Sequence, residues 1–203
     1  MNDTFEKAVT KLETHYGEFD FYCYSWGKHE EDNVLCLANL KSDENVLTRI
    51  QSACYTAEIF RSLDCDCHEQ LEESIKQIHN EGGILVYMLC DGRGAGLLNK
   101  VKGLELGRTK GLDTSQAYHQ LNIPQDPRVY DKVVSVLSDL KIKSIKLLTN
   151  NPRKIEAIAL SGINVTREPL EIQATEHSKP YLETKTTKMG HLMKQFKENK
   201  NGI

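Results

Sequence analysis

The sequence predicts a mixed α/β (α+β) fold in a single domain, on three observations. The first forty residues alternate apolar and polar side chains, the period-2 pattern of strands with one face covered. From residue 70 onward strand-like and helix-like segments alternate. The 203 residues contain no internal repeat and no low-complexity linker, a length consistent with one domain or at most two small ones. A chain of this size can bury a core without disulfide staples.

In chain order, FDFYCYSW and NVLCLANL read as antiparallel strands joined around GKHEEDN. EQLEESIKQIHNEGG reads as a helix, with Leu71, Ile75 and Ile78 on one face and Gly82 ending it. GILVYMLC is a buried strand and DGRGAG a loop. LLNKVKGLELGR is helical, although Gly103 and Gly107 weaken the pattern. Asp113 or Thr114 caps a helix through TSQAYHQL. YDKVVSVLSDL places Val133, Val134, Leu137 and Leu140 as the apolar positions of an amphipathic helix. SIKLLTNNPRKIEAIALSGI reads strand, turn, helix, closed by Gly162. The predicted domain spans 1–194, with 195–203 as a frayed tail.

Composition excludes several classes. The net charge of −3 is mixed along the chain and supplies no global field for nucleic acid. No apolar run approaches the roughly 18 residues of a membrane span. No basic segment followed by an apolar stretch marks a signal peptide, so the expected compartment is the cytoplasm. In that reducing setting clustered cysteines bind metal or do chemistry more often than they form bridges. Cys23 and Cys36 fall in predicted strands and read as small buried hydrophobes.

Cys54, Cys65 and Cys67 stand in a C-x10-C-x-C arrangement. Spacing alone leaves two readings open: three buried free thiols, or three ligands of a zinc ion whose fourth position is open, the pattern of catalytic zinc. DGRGAGLLNK follows a strand and opens a helix, so glycine amides and Arg93 could cradle an anion; a plain turn needing positive φ explains the same residues. The glycines at 92, 94 and 96 do not have dinucleotide-fingerprint spacing. TNNPRK puts Pro152 in a first helical turn, with Thr149 and Lys154 beside it; a well-capped surface helix is the alternative. PQDPRVY displays Asp126 and Arg128 on a loop, where the bland reading is a surface ion pair. Two cradles and a three-cysteine cluster together suggest a polyphosphate substrate presented to a metal-activated water.

These segments, in this order, resemble the GTP cyclohydrolase II family over nearly the whole chain. THYGEF resembles its opening strand, and RIQSACYTAEIFRSLDCDCHEQL its RVHSECLTGDxFxSxRCDCGxQL segment. DGRGAGLLNK resembles EGRGIGLLNK, and GLDT, DPR, LLTNNPRK and YLETKTTKMGH all have counterparts. The resemblance implies that Cys54, Cys65 and Cys67 bind one Zn²⁺ per chain, whose water attacks C8 of the purine. It implies Arg128 as the nucleophile toward the α-phosphorus, releasing pyrophosphate, with Asp126 as its proton acceptor. Arg49, Gln70, Arg93, Thr114, Thr149 and Lys154 match nucleotide-binding positions; Gln51, Ser52, Asp91 and Gly92, in the matched segments, complete the expected substrate-binding set. Mg²⁺ on the triphosphate and a homodimer are further implications. The histidines His15, His29, His79, His119, His177 and His191 receive no role.

Departures from the family pattern concentrate at the site. Gln51 and Ala53 stand where the family has histidine and glutamate, Asp91 where it has glutamate, Leu104 where it has a tyrosine of ring opening, and Val129 where it has an acid. Tyr118 is the nearest tyrosine in sequence to the missing one. The expected function is zinc-dependent opening of the purine ring of a nucleoside triphosphate, GTP foremost, with ring opening able to halt at a formylated pyrimidine. The alternatives are action on another nucleotide or base, as in pyrimidine catabolism, and a nucleotide-binding regulator of little activity.

Overall fold

The structure, a computed structural model, describes residues 4–196. Strands β1 (Glu6–Thr14) and β2 (Gly17–Ser25) form a hairpin that turns at His15 and Tyr16. A 3-10 turn at Glu30–Asp32, inside the expected GKHEEDN connector, leads to β3 (Asn33–Asn39), antiparallel to β2. The remaining strands are β4 (Val46–Ser52), β5 (Gly83–Met88), β6 (Ser144–Leu148) and β7 (Asn164–Glu168). The sheet order is β1-β2-β3-β5-β4-β6-β7. Strand β5 pairs antiparallel with β3 and parallel with β4, while β4–β6 and β6–β7 are parallel. One half is thus an antiparallel meander and the other a parallel sheet, a single α+β domain.

Seven α-helices accompany the sheet among the described residues: α1 (Tyr55–Glu58), α2 (Cys67–Glu81), α3 (Leu97–Lys110), α4 (Thr114–Gln120), α5 (Asp131–Asp139), α6 (Pro152–Ala159) and α7 (Lys179–Met189). On one face of the sheet Val34, Cys36, Ile50, Ile84, Val86 and Leu147 pack against Val133, Val136 and Leu137 of α5 and Ile158 of α6. On the other face Leu47, Leu85 and Leu148 meet Ile78, Leu71 and Ile75 of α2. That is the face expected from the i, i+4, i+7 spacing in α2. β3 buries alternate residues, as an antiparallel strand with one covered face should. β4 and β5 are buried on both faces because helices cover the parallel half.

Cys36 is buried as expected, whereas Cys23 is half-buried. Gln195, placed by the sequence at the start of a frayed tail, instead accepts from Ala174 N (3.1 Å) and donates to Ile172 O (2.9 Å). The rest of that tail from 197 onward lies outside the described residues. No helix among the described residues is long and apolar enough to cross a membrane.

The carboxyl ends of β4, β5 and β6 open on one edge of the sheet, where parallel α/β arrangements place their ligands. The close approach of β4 and β5 depends on Gly83: a Cβ there would stand 2.2 Å from the Leu47 carbonyl oxygen. Because the clash is with backbone, relief requires moving a central strand. Gly83→Ala is expected to lower stability by about 1–3 kcal/mol, seen as a lower urea midpoint at unchanged slope; an unchanged midpoint would contradict this packing.

Candidate active site

The chain leaves β4 at Ser52 and reaches Cys54, whose carbonyl accepts the first bonds of α1. Cys65 and Cys67 bracket Asp66 where α2 begins. The Sγ atoms of Cys54 and Cys65 are 3.8 Å apart, and all three sulfurs lie within 4.8 Å of one another. A tetrahedral ion with metal–sulfur bonds of about 2.3 Å sets its sulfurs about 3.8 Å apart, so the cluster fits zinc. Three thiolates are also the soft donor set that zinc accepts. Without an ion the thiols share their protons unevenly. Hydrogen bonds from Cys65 and Cys67 pull the Cys54 pKa down, helped by Lys100, and the Cys54 sulfur in turn pushes Cys65 up to about 11 and Cys67 upward. The Lys100 ammonium lies 3.2 Å from Cys54 Sγ and 2.8 Å from Asp91 Oδ1.

A buried polar chain runs from the cysteine loop. Lys185 Nζ donates to Asp66 Oδ1 (3.2 Å), and Gln70 Nε2 to Asp66 Oδ2 (2.6 Å). Arg49 Nη2 donates to Gln70 Oε1 and to Gln51 Oε1, both at 2.7 Å. Gln51 Nε2 donates to Glu58 Oε1 (2.7 Å), whose other oxygen accepts from Tyr87. Arg49 also donates to the Leu148 carbonyl (3.0 Å). Burial brings its pKa down to about 10. The Arg49, Gln51 and Gln70 side chains are therefore engaged with the protein itself.

The two expected cradles come out differently from their simplest forms. In the first, Gly92, Arg93 and Gly94 all have positive φ (60, 58 and 84°). The amides of Gly94 and Gly96 turn back to the Asp91 carbonyl (3.0 and 3.1 Å), so the turn consumes most of its own donors. Asp91 is buried; its carboxylate accepts from Tyr55 N (2.9 Å), Gly92 N and Lys100, which commits it to holding the loop. Tyr118 donates to the Gly92 carbonyl (2.9 Å) and packs on Gly103, where a Cβ would come within 3.2 Å of its ring. Its hydroxyl thus supports the loop. In the second cradle, Asn151 caps α6 by accepting from Arg153 N (3.0 Å), and Thr149 Oγ1 accepts from Asn151 N (3.0 Å). The Lys154 amide bonds the Asn151 carbonyl (3.2 Å), so the helix start offers fewer free amides than the sequence suggests. Lys154 Nζ is buried on the Ile50 carbonyl (2.6 Å), its pKa lowered by burial and then by Arg49 and Arg128.

Arg128 and Asp126 form a two-pronged pair, Nε–Oδ1 and Nη2–Oδ2, both 2.8 Å, and Arg128 Nη1 donates to Ser52 Oγ (3.2 Å). Only 10% of the Arg128 side chain and 5% of the Asp126 side chain are exposed, which rejects the reading as a surface pair. Burial lowers the Arg128 pKa, but the Asp126 bonds outweigh it and the net shift is upward; Asp126 is lowered in turn. The resting pair is guanidinium and carboxylate.

All the sequence-selected residues except Asp126 line one cleft of about 920 Å³, including Thr114 at the start of α4. Asp126 stands behind Arg128, in a shallower hollow shared with Arg153 and Val129. Val129 is 68% exposed, so the missing acid there leaves the cleft itself unchanged, whereas Leu104 and Ala53 line it. Sequence reasoning missed Lys100, Tyr181, Lys185 and His191, all of which line the cleft, as does His177. The available signal was their place inside two literal matches, DGRGAGLLNK and YLETKTTKMGH.

The family model described as GTP cyclohydrolase II matches residues 6–169. A GTP cyclohydrolase-2 of Campylobacter fetus is 40% identical over 188 residues, covering 93% of this chain and 95% of its own. One from Archaeoglobus fulgidus is 44% identical, covering 88% of this chain and 47% of its own; the riboflavin biosynthesis protein RibBA of Aquifex aeolicus is 42% identical, covering 91% and 46%. A solved structure of RibBX, a two-domain 3,4-dihydroxy-2-butanone 4-phosphate synthase from A. baumannii, is 19% identical at a TM-score of 0.46, covering 83% of this chain and 41% of its own. With the family model matched over most of its length and relatives aligned nearly end to end, this chain belongs to the GTP cyclohydrolase II family, hydrolases of cyclic amidine C–N bonds.

Proposed function

We propose that the protein is a zinc-dependent cyclohydrolase that opens the imidazole ring of GTP at C8 and releases pyrophosphate, in riboflavin biosynthesis. The observation that carries this is a charge imbalance. Arg49, Arg93 and Lys154 line the cleft beside the three thiols, and none has a carboxylate in ion-pair contact among the described residues. Buried cations without counterions are costly unless a bound anion completes them. A triphosphate, carrying Mg²⁺ across its oxygens, is such an anion.

Cys54, Cys65 and Cys67 would hold the zinc, which supplies Lewis acidity and a water acidified to about pKa 7. Lys100 sets a positive charge against the thiolates and ties Cys54 to the Asp91 loop. Arg128 acts at the α-phosphorus: an N–P bond forms, the bond to pyrophosphate breaks, and the guanidinium proton passes to Asp126; water then cleaves the N–P bond, returning the guanidinium and freeing the product as a monophosphate. In the free protein both groups are shifted against that transfer, so it belongs to the substrate complex, where Mg²⁺ carried by the triphosphate would make the phosphorus more electrophilic. Leu104 has no hydroxyl, and the Tyr118 hydroxyl is bonded to the Gly92 carbonyl. Without the family's tyrosine the hydrolysis stops after the first C8–N bond is cleaved, before formate leaves, and a formylated pyrimidine accumulates. The catalytic unit spans residues 1–194. Its six free cysteines suit the cytoplasm. The exposed Ile59, Phe60, Leu63 and Leu98 supply apolar surface for a homodimer.

Cys65→Ser is expected to reduce zinc from about one ion per chain to well below half, by metal analysis of purified protein; metal-free wild type would end the zinc reading. Incubation with GTP and Mg²⁺ followed by mass spectrometry should show pyrophosphate and a pyrimidine that retains formyl; intact GTP after exhaustive incubation would contradict the reading. Arg128→Lys keeps a cation but loses the two-pronged contact with Asp126. It should lower kcat about 10²–10⁴-fold at unchanged zinc content. A loss under threefold would remove Arg128 from the reaction.

A further inference from the structure

The cleft is lined by chain beyond residue 169, where the family match ends: Tyr181, Lys185, Met189, His191 and Met193 all face it. This C-terminal arm, residues 177–193, touches three of the segments that build the site. Lys185 bonds Asp66 in the cysteine loop (3.2 Å). Arg93 of the glycine loop donates to the Tyr181 hydroxyl (3.3 Å) and lies over the Tyr181 ring, 5.8 Å from its centre. Leu192 N donates to the carbonyl of Asn150 (2.8 Å), beside Thr149.

The arm also brings positive charge onto positive charge. Lys185 and His191 are set down near Arg93 and Lys154, and these cations, after burial itself, hold the His191 imidazole neutral, its pKa down to about 3. At this junction two polar atoms are buried and meet no partner, Arg93 Nη1 and His191 Nδ1. Native proteins rarely leave such groups unmet, and these two belong to residues lining the cleft, where a ligand atom can meet them; the other unmet atoms, on Asn33, His79 and Tyr130, lie outside it. Nη1 can only donate, so the missing atom there is an acceptor.

We propose that residues 177–193 form a phosphate clamp, in which His191 and Arg93 together donate to oxygens of the substrate's polyphosphate while Lys185 fastens the arm to the cysteine loop. The inference rests on the nucleotide reading above and adds the arm's His191 to that site. An anion here accepts from Arg93 Nη1 and, by offsetting the surrounding positive charge, favours a protonated His191 that donates through Nδ1 as well as to the Met189 carbonyl. The base and ribose, by contrast, gain nothing from His191.

The test uses inorganic tripolyphosphate and guanosine as separate probes on the full chain, by calorimetry, with GTP kinetics alongside. His191→Ala should weaken tripolyphosphate at least tenfold and raise the KM for GTP by a similar factor. Guanosine affinity, zinc content and kcat should stay within threefold. His191→Asn, whose amide can stand near the Nδ1 position, should recover part of the loss. If the alanine variant fails to fold, His191→Phe fills the same space without a donor and should show the same selective loss. Tripolyphosphate affinity unchanged within twofold in both apolar variants, or guanosine weakened as much as tripolyphosphate, would overturn the clamp. Wild type that turns over GTP but ignores tripolyphosphate also overturns it while leaving the cyclohydrolase intact. Histidine-dependent tripolyphosphate binding without GTP turnover supports the clamp and removes the proposed reaction.

Discussion

The site depends on one continuous run of buried hydrogen bonds, from Lys185 through Asp66, Gln70, Arg49 and Gln51 to Glu58 and Tyr87. It joins α7, the cysteine loop, α2, β4, α1 and β5 in a single network. Asp66 lies between two of the three cysteines, so its two bonds fix the turn that carries both sulfurs. Buried polar networks of this kind are strong when complete and costly when broken, because each orphaned partner keeps its desolvation penalty. The placement of three thiols within 4.8 Å is thus secured by side chains outside the trio. Supporting groups of this sort position metal ligands as much as the ligands position themselves.

Above that network the electrostatics run one way. Lys100, Lys185 and Arg128 are each paired with a buried carboxylate, while Arg49, Arg93 and Lys154 rely on neutral acceptors. The first three are neutralised within the protein, and the second three have no ion-pair partner among the described residues. The Lys154 pKa is lowered first by burial and then by Arg49 and Arg128, and a bound polyphosphate would raise it. The arrangement trades stability of the empty cleft for affinity toward a particular charge pattern.

Much of this was legible in the sequence, and the exceptions have physical causes. The antiparallel strands and the helix at Leu71–Ile78 followed from periodicity, because one covered face leaves a regular trace. β4 left no such trace: VLTRIQS carries Thr48, Arg49 and Gln51 into full burial, since its polar side chains answer to the network rather than to a core. The shared location of Cys54, Arg93, Arg128 and Lys154 followed from resemblance and not from spacing, for they come from four segments far apart in the chain. Asp91 shows the limit of position-by-position transfer. It aligns with a base-reading glutamate, yet its shorter carboxylate is bound to Tyr55 N, Gly92 N and Lys100. One histidine among seven scattered along the chain carries no signal of its own, and only the fold brings the arm that holds His191 against the glycine loop, through Tyr181 and Arg93.

Zinc K-edge X-ray absorption on the purified wild-type protein addresses the centre of the account directly. Three sulfur neighbours at about 2.3 Å and one oxygen or nitrogen neighbour near 2.0 Å are the result expected of three thiolates with a vacant face. A shell of four sulfurs, or one with oxygen and nitrogen alone, would contradict it.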